Sequence, residues 1–224
     1  MPVFLSMLFF TLIIVAPFFI IIASIIIIRS NDKFKNPEEY KDAGSAGERE
    51  VYLILCDKFH VPENQIFRNV YIPTTNGKTA EIDILVVSKK GLLVFECKNY
   101  AGNIYGDMNR KKWIQYLGNT KSFFYNPFLQ NRSHISHLKS YLKHYGDLPA
   151  ISLVTTTERG YWKVKNLKPT DYLLGYNSHL SDVLNMTSDS ALMAQHFNAI
   201  LQTITPLPRP DKSIQQSHIE QFQK

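Results

Sequence analysis

Residues 80–100 read AEIDILVVSKKGLLVFECKNY, two apolar runs rich in β-branched residues with a Ser-Lys-Lys-Gly link between them. Such runs on either side of a short polar link fold as paired strands, here 80–88 and 92–98. With the link centred between Lys89 and Lys90, residues whose numbers sum to 179 face each other. Asp83 then lies opposite Glu96, and Glu81 opposite Lys98. Side chains alternate along a strand, so all four share one face with Leu85, Val87, Leu92 and Val94. A three-residue loop would slide the pairing by one and send the acids to opposite faces.

Two acids on that face need a reason. Like charges directly opposite destabilise an antiparallel pair, and neighbouring carboxylates push one pKa upward. Lys98 offers one compensating positive charge. A divalent metal offers the rest: Mg²⁺ prefers oxygen ligands, usually one or two carboxylates completed by waters and phosphate oxygens. Asp83 and Glu96 fit as its ligands. Lys98, on the same side, fits a role in holding an attacking water or a charged phosphorus centre. Mg²⁺ lowers the pKa of bound water and neutralises charge on a scissile phosphate, the chemistry of a metal-dependent phosphodiesterase. The same residues also suit a plainer role as salt bridges on the solvated face of an amphipathic hairpin.

The N-terminus is of a different character. Residues 1–28 carry no charged side chain, and from Phe4 to Ile28 only Ser6, Thr11 and Ser24 are polar. About 20 apolar residues suffice for a helix to cross the roughly 30 Å hydrocarbon layer. A cleaved signal peptide would begin with basic residues and have a shorter apolar stretch. The segment is therefore expected to be an uncleaved transmembrane helix, 4–28, anchoring the chain in a lipid bilayer, with Pro17 kinking it. Arg29, Lys33 and Lys35 follow the span, so the positive-inside rule places the C-terminal domain in the cytoplasm of a single-pass membrane protein. Cys56 and Cys97 fit as reduced thiols there, and two cysteines in separate elements form neither a disulfide framework nor a zinc site. The formal charge of +6 belongs wholly to the residues after the span. A basic surface favours phosphate polymers or anionic lipid headgroups.

Residues 29–43 read as a polar linker and 44–204 as one mixed α/β domain, followed by a Pro- and Gln-rich tail, 205–224, expected to be disordered. A helix should start with Ser45 as its N-cap and Glu48 three residues on, and end before Pro62. IFRNVYI (66–72) alternates as a strand, and Asn76-Gly77 signals a tight turn. Beyond Gly106 the pattern weakens, with Trp113 and Tyr116 in a polar stretch. Helices are expected at 127–145 and 188–204, and strands at 151–157 and 171–176. Nothing in 150–224 points to a specific ligand.

Taken in order, Gly47-Glu48, E-I-D at 81–83, G-L-L-V-F-E-C-K at 91–98, G-N-I-Y-G at 102–106, Trp113, and N-P-F-L-Q at 126–130 with His134 resemble the nuclease-related domain (NERD) family. That family is a branch of the restriction-endonuclease-like PD-(D/E)xK superfamily, and the resemblance covers the motif-bearing core, 44–145. It implies a mixed sheet flanked by helices, a Mg²⁺-dependent (or Mn²⁺-dependent) nuclease site, and nucleic acid, DNA first, as partner. Asp83 and Glu96 would be metal ligands and Lys98 the catalytic lysine. Glu48 matches the family's helical acid, which binds metal through water or orients Lys98, and Gln130 matches a polar helix residue approaching the site. The proline that the motif's name would place before Asp83 is absent. Cys97 should point to the opposite, buried face. Plainer roles remain for the others: Glu48 as a helix cap, Trp113 and Tyr116 as local packing rather than base stacking, and His134 as a packing or supporting residue. The rival function is a non-catalytic nucleic-acid-binding or membrane assembly module of the same fold.

Overall fold

The computed structural model describes residues 43–74, 77–175, 183 and 188–207. The chain divides into two compact units, Met1–Lys41 and Asp42–Lys224, and the described residues all lie in the second. The expected span at 4–28, nearly all of the linker and most of the C-terminal tail lie outside them. Among the described residues no helix is long and apolar enough to cross a membrane.

Helix α1, Ala43–Leu53, runs on into a single π-helical turn, Ile54–Lys58, that closes with Phe59 N–H on the Ile54 carbonyl. It is already helical at Ala43, so Ser45 is not its N-cap as expected. The helix ends before Pro62, as expected. Strands β1 (Ile66–Pro73), β2 (Thr79–Ser88) and β3 (Gly91–Lys98) follow as an antiparallel meander. The β2–β3 register is the one expected, from Ser88↔Gly91 to Ile84↔Phe95, around a two-residue link. Gly77 closes the preceding turn with φ +75° and its N–H on the Thr74 carbonyl.

Helix α2, Pro127–Tyr141, is started by Asn126, whose side-chain oxygen accepts the Phe128 N–H at 3.0 Å, with Pro127 at the first helical position. Strand β7, Ala150–Thr156, pairs parallel with β3, and β9, Tyr172–Gly175, parallel with β7. Helix α3, Ala191–Ile204, is capped by Ser190. The resulting five-stranded mixed sheet has the order β1-β2-β3-β7-β9. One face packs Ile84, Val86, Leu93 and Phe95 against Val51 of α1 and Leu55 of the π-helical turn that follows it. The other packs Leu85, Val87, Leu92 and Val94 against Leu138 of α2 and Met193, Ile200 and Ile204 of α3. Helices therefore cover both faces, as the near-continuous apolar composition of β2 and β3 requires.

The family resemblance implies one mixed sheet; the structure has two. Between β3 and α2, and again after β7, lie β4 (Gly102–Asp107), β5 (Lys112–Leu117), β6 (Thr120–Tyr125) and β8 (Gly160–Lys165), in the order β6-β5-β4-β8. Trp113 is 1% exposed at the centre of its inner face, ringed by Phe124, Phe128 and Trp162, with its indole N–H on the Asp107 carbonyl at 3.0 Å. It packs and is not available to stack on a base. Both glycines of G-N-I-Y-G have a steric reason. Gly102 adopts φ +81° against the Tyr116 carbonyl, and a Cβ on Gly106 would sit 2.6 Å from the Trp113 ring.

Candidate functional site

The site begins with an interruption. Strands β1 and β2 pair from Ile66↔Val86 to Arg68↔Ile84 and resume at Val70↔Ile82, with the intervening rung Asn69/Asp83 missing and Asn69 at φ +51°. Asparagine tolerates that left-handed conformation better than other non-glycine residues. The kink reverses the alternation on both strands. Phe67 and Val70 pack in one core cluster together with Leu85 and Ile82, whereas Ile84 belongs to the other cluster. Asp83 sits at the reversal. The β2–β3 ladder also stops there, and the Asp83 carboxylate enters the gap, accepting the Cys97 N–H through Oδ2 at 2.7 Å.

One expectation fails for this reason. Glu81 does not share a face with Leu85 and does not pair with Lys98. Beyond the kink it lies opposite Tyr71 of β1, whose hydroxyl it hydrogen-bonds.

Glu96 lies on the α2 face of β3 at 0% exposure. Its Oε1 accepts a hydrogen bond from the Lys98 ammonium, two residues along the same face. Among the described residues its Oε2 accepts no hydrogen bond, although His134 Nδ1 of α2 stands 3.4 Å away. Burial pushes the Glu96 carboxyl up to about 8, with the Asp83 charge adding to the rise and Lys98 opposing it. Burial also raises Asp83, against the charge of Lys98 and the Cys97 bond. For Lys98 burial acts downward, but the charges of Glu96 and Asp83 outweigh it and the ammonium is held above its ordinary value. A fully buried acid and a half-buried one thus share one fixed cation, and repulsion and desolvation together favour keeping a proton on the pair.

The remaining candidates approach from both helices. Glu48, half-buried on α1, bears electrostatically on Cys97 and Tyr71 from the opposite face of the sheet. Cys97 is buried on that face, as alternation requires. Gln130 occupies the first turn of α2, half-buried; among the described residues its side chain makes no hydrogen bond to Asp83, Glu96 or Lys98. His134, one turn on, is the α2 residue that reaches Glu96. Asn131 is the residue that sequence reasoning missed. Fully buried, it donates from Nδ2 to the Val94 carbonyl at 2.8 Å and to Ser152 Oγ at 3.0 Å, clamping α2 over β3 and β7 and so fixing where His134 points. Its only sequence signal is a polar residue within the apolar stripe of α2, next to Gln130. Asn69 has a comparable signal, a turn-prone residue inside a strand.

Among the described residues no group of three or more His, Cys, Asp or Glu side chains is arranged to hold a metal ion. A hard divalent cation needs less than that from the protein, since one or two carboxylates with waters and phosphate oxygens complete its shell. The orphaned Glu96 Oε2 beside a second carboxylate is the donor set such an ion takes. A buried acceptor with no partner otherwise costs about 1–3 kcal/mol.

A family model described as nuclease-related domain matches residues 43–157. Over 177 residues the chain is 30% identical to an uncharacterized protein of Bacillus anthracis, covering 79% of this chain and 82% of that one. No solved structure matches the chain.

Proposed function

Because the chain belongs to the nuclease-related domain family, we propose that Asp83, Glu96 and Lys98 form the divalent-metal site of a restriction-endonuclease-like phosphodiesterase acting on nucleic acid, DNA first. The observation that carries this is Glu96: a fully buried carboxyl group with one oxygen on Lys98 and the other, among the described residues, accepting no hydrogen bond, with His134 Nδ1 at 3.4 Å. Asp83 and Glu96 would hold Mg²⁺ or Mn²⁺. Bound there, the ion would acidify water and neutralise charge on the scissile phosphate.

The chain's own residues supply the rest. The Cys97 N–H fixes Asp83 at the mouth of the β2–β3 gap. Lys98, kept cationic by both acids, presents a positive charge where a phosphate or an attacking water is to be held. His134, locked by the Asn131 clamp, borders Glu96 Oε2 and can take up or return a proton there. Gln130 is assigned a supporting role from α2, approaching the substrate, and Glu48 one from α1, adding negative charge behind the site on the Cys97 side of the sheet. Residues 4–28 would anchor the enzyme in the cell membrane with the catalytic domain on the cytoplasmic side. Protease access in sealed vesicles tests that orientation.

The direct test is cleavage of labelled single- and double-stranded DNA and RNA by the full chain with Mg²⁺ or Mn²⁺, with Lys98→Ala as control. Metal-dependent cleavage in the wild type that is lost in the control supports the assignment. Identical cleavage in both removes it, and binding without cleavage in either leaves a non-catalytic nucleic-acid-binding module.

A further inference from the structure

The second sheet has an outer face that the active-site assignment does not use. Ile104, Gly106 and Trp113 point inward and are buried, so by alternation their neighbours point out. Register places the outward residues in three rows. Lys121, Tyr116, Asn103 and Tyr161 form the first; Phe123, Ile114, Tyr105 and Lys163 the second. Tyr125 stands beside Lys112 and Asp107 beside Lys165 in the third. Five of these twelve are aromatic, and they are open to solvent: Tyr161 is 66% exposed, Phe123 60% and Tyr125 49%. Four are lysines and one is an acid, Asp107, whose Oδ1 accepts from the Asn109 N–H and Asn166 Nδ2. The Lys121 ammonium lies over both the Phe123 and Tyr116 rings, 5.2 and 5.7 Å from their centroids, and Tyr105 meets Tyr116 edge-on at 5.8 Å.

An ordinary solvated sheet face carries charged and small polar side chains. Exposed rings interleaved with lysines match a specific chemistry instead, in which unstacked bases lie on aromatic faces while ammonium groups meet the phosphates. A second copy of this chain is a poor occupant, because two such faces would set lysine against lysine. A bilayer interface also takes aromatic and basic side chains, but a face that docks on it adds aliphatic residues entering the acyl boundary, and the rows contain one, Ile114. The sheet also adjoins the candidate site along the chain: β4 starts at Gly102, just after Lys98, and β6 ends at Tyr125, just before the helix that brings His134 to Glu96.

We infer that the outer face of the β6-β5-β4-β8 sheet is a docking platform for single-stranded nucleic acid, with Phe123, Tyr161 and Tyr116 stacking on bases and Lys121 and Lys163 contacting phosphates. This deepens the nuclease assignment by naming the form of its substrate, and rests on that assignment only for the metal-dependent step that follows binding.

The test is fluorescence anisotropy of the full chain in detergent with a labelled oligothymidylate, in EDTA so that no cleavage occurs. Phe123→Ala with Tyr161→Ala is expected to weaken binding roughly tenfold or more, from stacking energies of ordinary size. Lys121→Glu with Lys163→Glu should weaken it and flatten its salt dependence. Lys89→Ala, exposed in the β2–β3 link and outside both the face and the candidate site, should bind like the wild type. All of these side chains are well exposed, and unchanged circular dichroism melts show that the variants fold. The inference is overturned if both face variants bind as tightly as the wild type, or if a duplex of the same length binds as well and is equally insensitive to them. It is also overturned if the face variants lose binding to anionic vesicles, relative to the wild type, and not to the oligonucleotide. Binding that follows these expectations without metal-dependent cleavage keeps the platform and defeats the nuclease assignment. Cleavage abolished by Lys98→Ala but untouched by the face variants does the reverse.

Discussion

The two sheets break the inside-outside rule in opposite ways. In the five-stranded sheet a carboxylate, Glu96, is at 0% exposure among leucines and valines; in the four-stranded sheet a phenylalanine, Phe123, is at 60%. A buried polar group and an exposed apolar patch are the informative departures, because scattered exposed hydrophobics are routine. Each departure is held by neighbours that obey the rule. The Glu96 cluster is framed by Val94 and the Asn131 clamp, and the aromatic face is backed by Trp113 and Ile104. The contrast suggests a division of labour, with charge concealed for chemistry in one sheet and rings displayed for contact in the other.

The largest effect that would break this contrast concerns the concealed charge. Lys98→Ala should lower metal-dependent cleavage by about 10²–10³-fold, as when a donor aimed at developing charge is removed, measured as kcat on a labelled substrate with the melting temperature as control. Next comes the backing of the displayed face. Trp113→Ala should destabilise the domain by about 3–5 kcal/mol in urea unfolding, because a fully buried ring leaves a cavity. Phe123→Ala, in the same sheet but facing out, should stay within about 0.5 kcal/mol. A comparable loss from both would erase the distinction between the faces.

The pH dependence sharpens the other half. Glu96 protonates near 8 when folded and near 4.5 when unfolded. Between those values the folded chain holds more protons than the unfolded one. Without metal, stability should therefore fall as pH rises through this window, by up to about 1.4 kcal/mol per pH unit for one proton. Glu96→Gln should flatten that slope in denaturation at about pH 6 and about pH 8. A slope unchanged by the substitution would show that Glu96 is not the group responsible.

The sequence exposed these regions unequally. The β2–β3 register was legible, since a two-residue link and two apolar runs leave one pairing that buries both. So were the helix expected at 127–145, found as Pro127–Tyr141, and the strand expected at 151–157, found as Ala150–Thr156, where local chemistry and burial agree. The kink at Asn69 and Asp83 was not. It depends on a left-handed residue in one strand and a missing rung shared with another, which no pattern along a single strand records. That is why Glu81 was expected beside Lys98 and lies beside Tyr71 instead. The four-stranded sheet was hidden for a different reason. KWIQYL, TKSFFY and GYWKVK put rings on both faces, so the apolar-polar alternation that marks a half-buried strand is absent. His134 was visible as a helical neighbour of Gln130, but its approach to Glu96 is set by Asn131, a contact across 37 residues of chain.

Calorimetric titration of the full chain with Mn²⁺, wild type against Asp83→Ala, bears most directly on whether Asp83 and Glu96 form a metal site. One binding site per chain, weakened at least tenfold by the substitution and accompanied by proton release near neutral pH, is the predicted result. Equal Mn²⁺ affinity in the two proteins would contradict it.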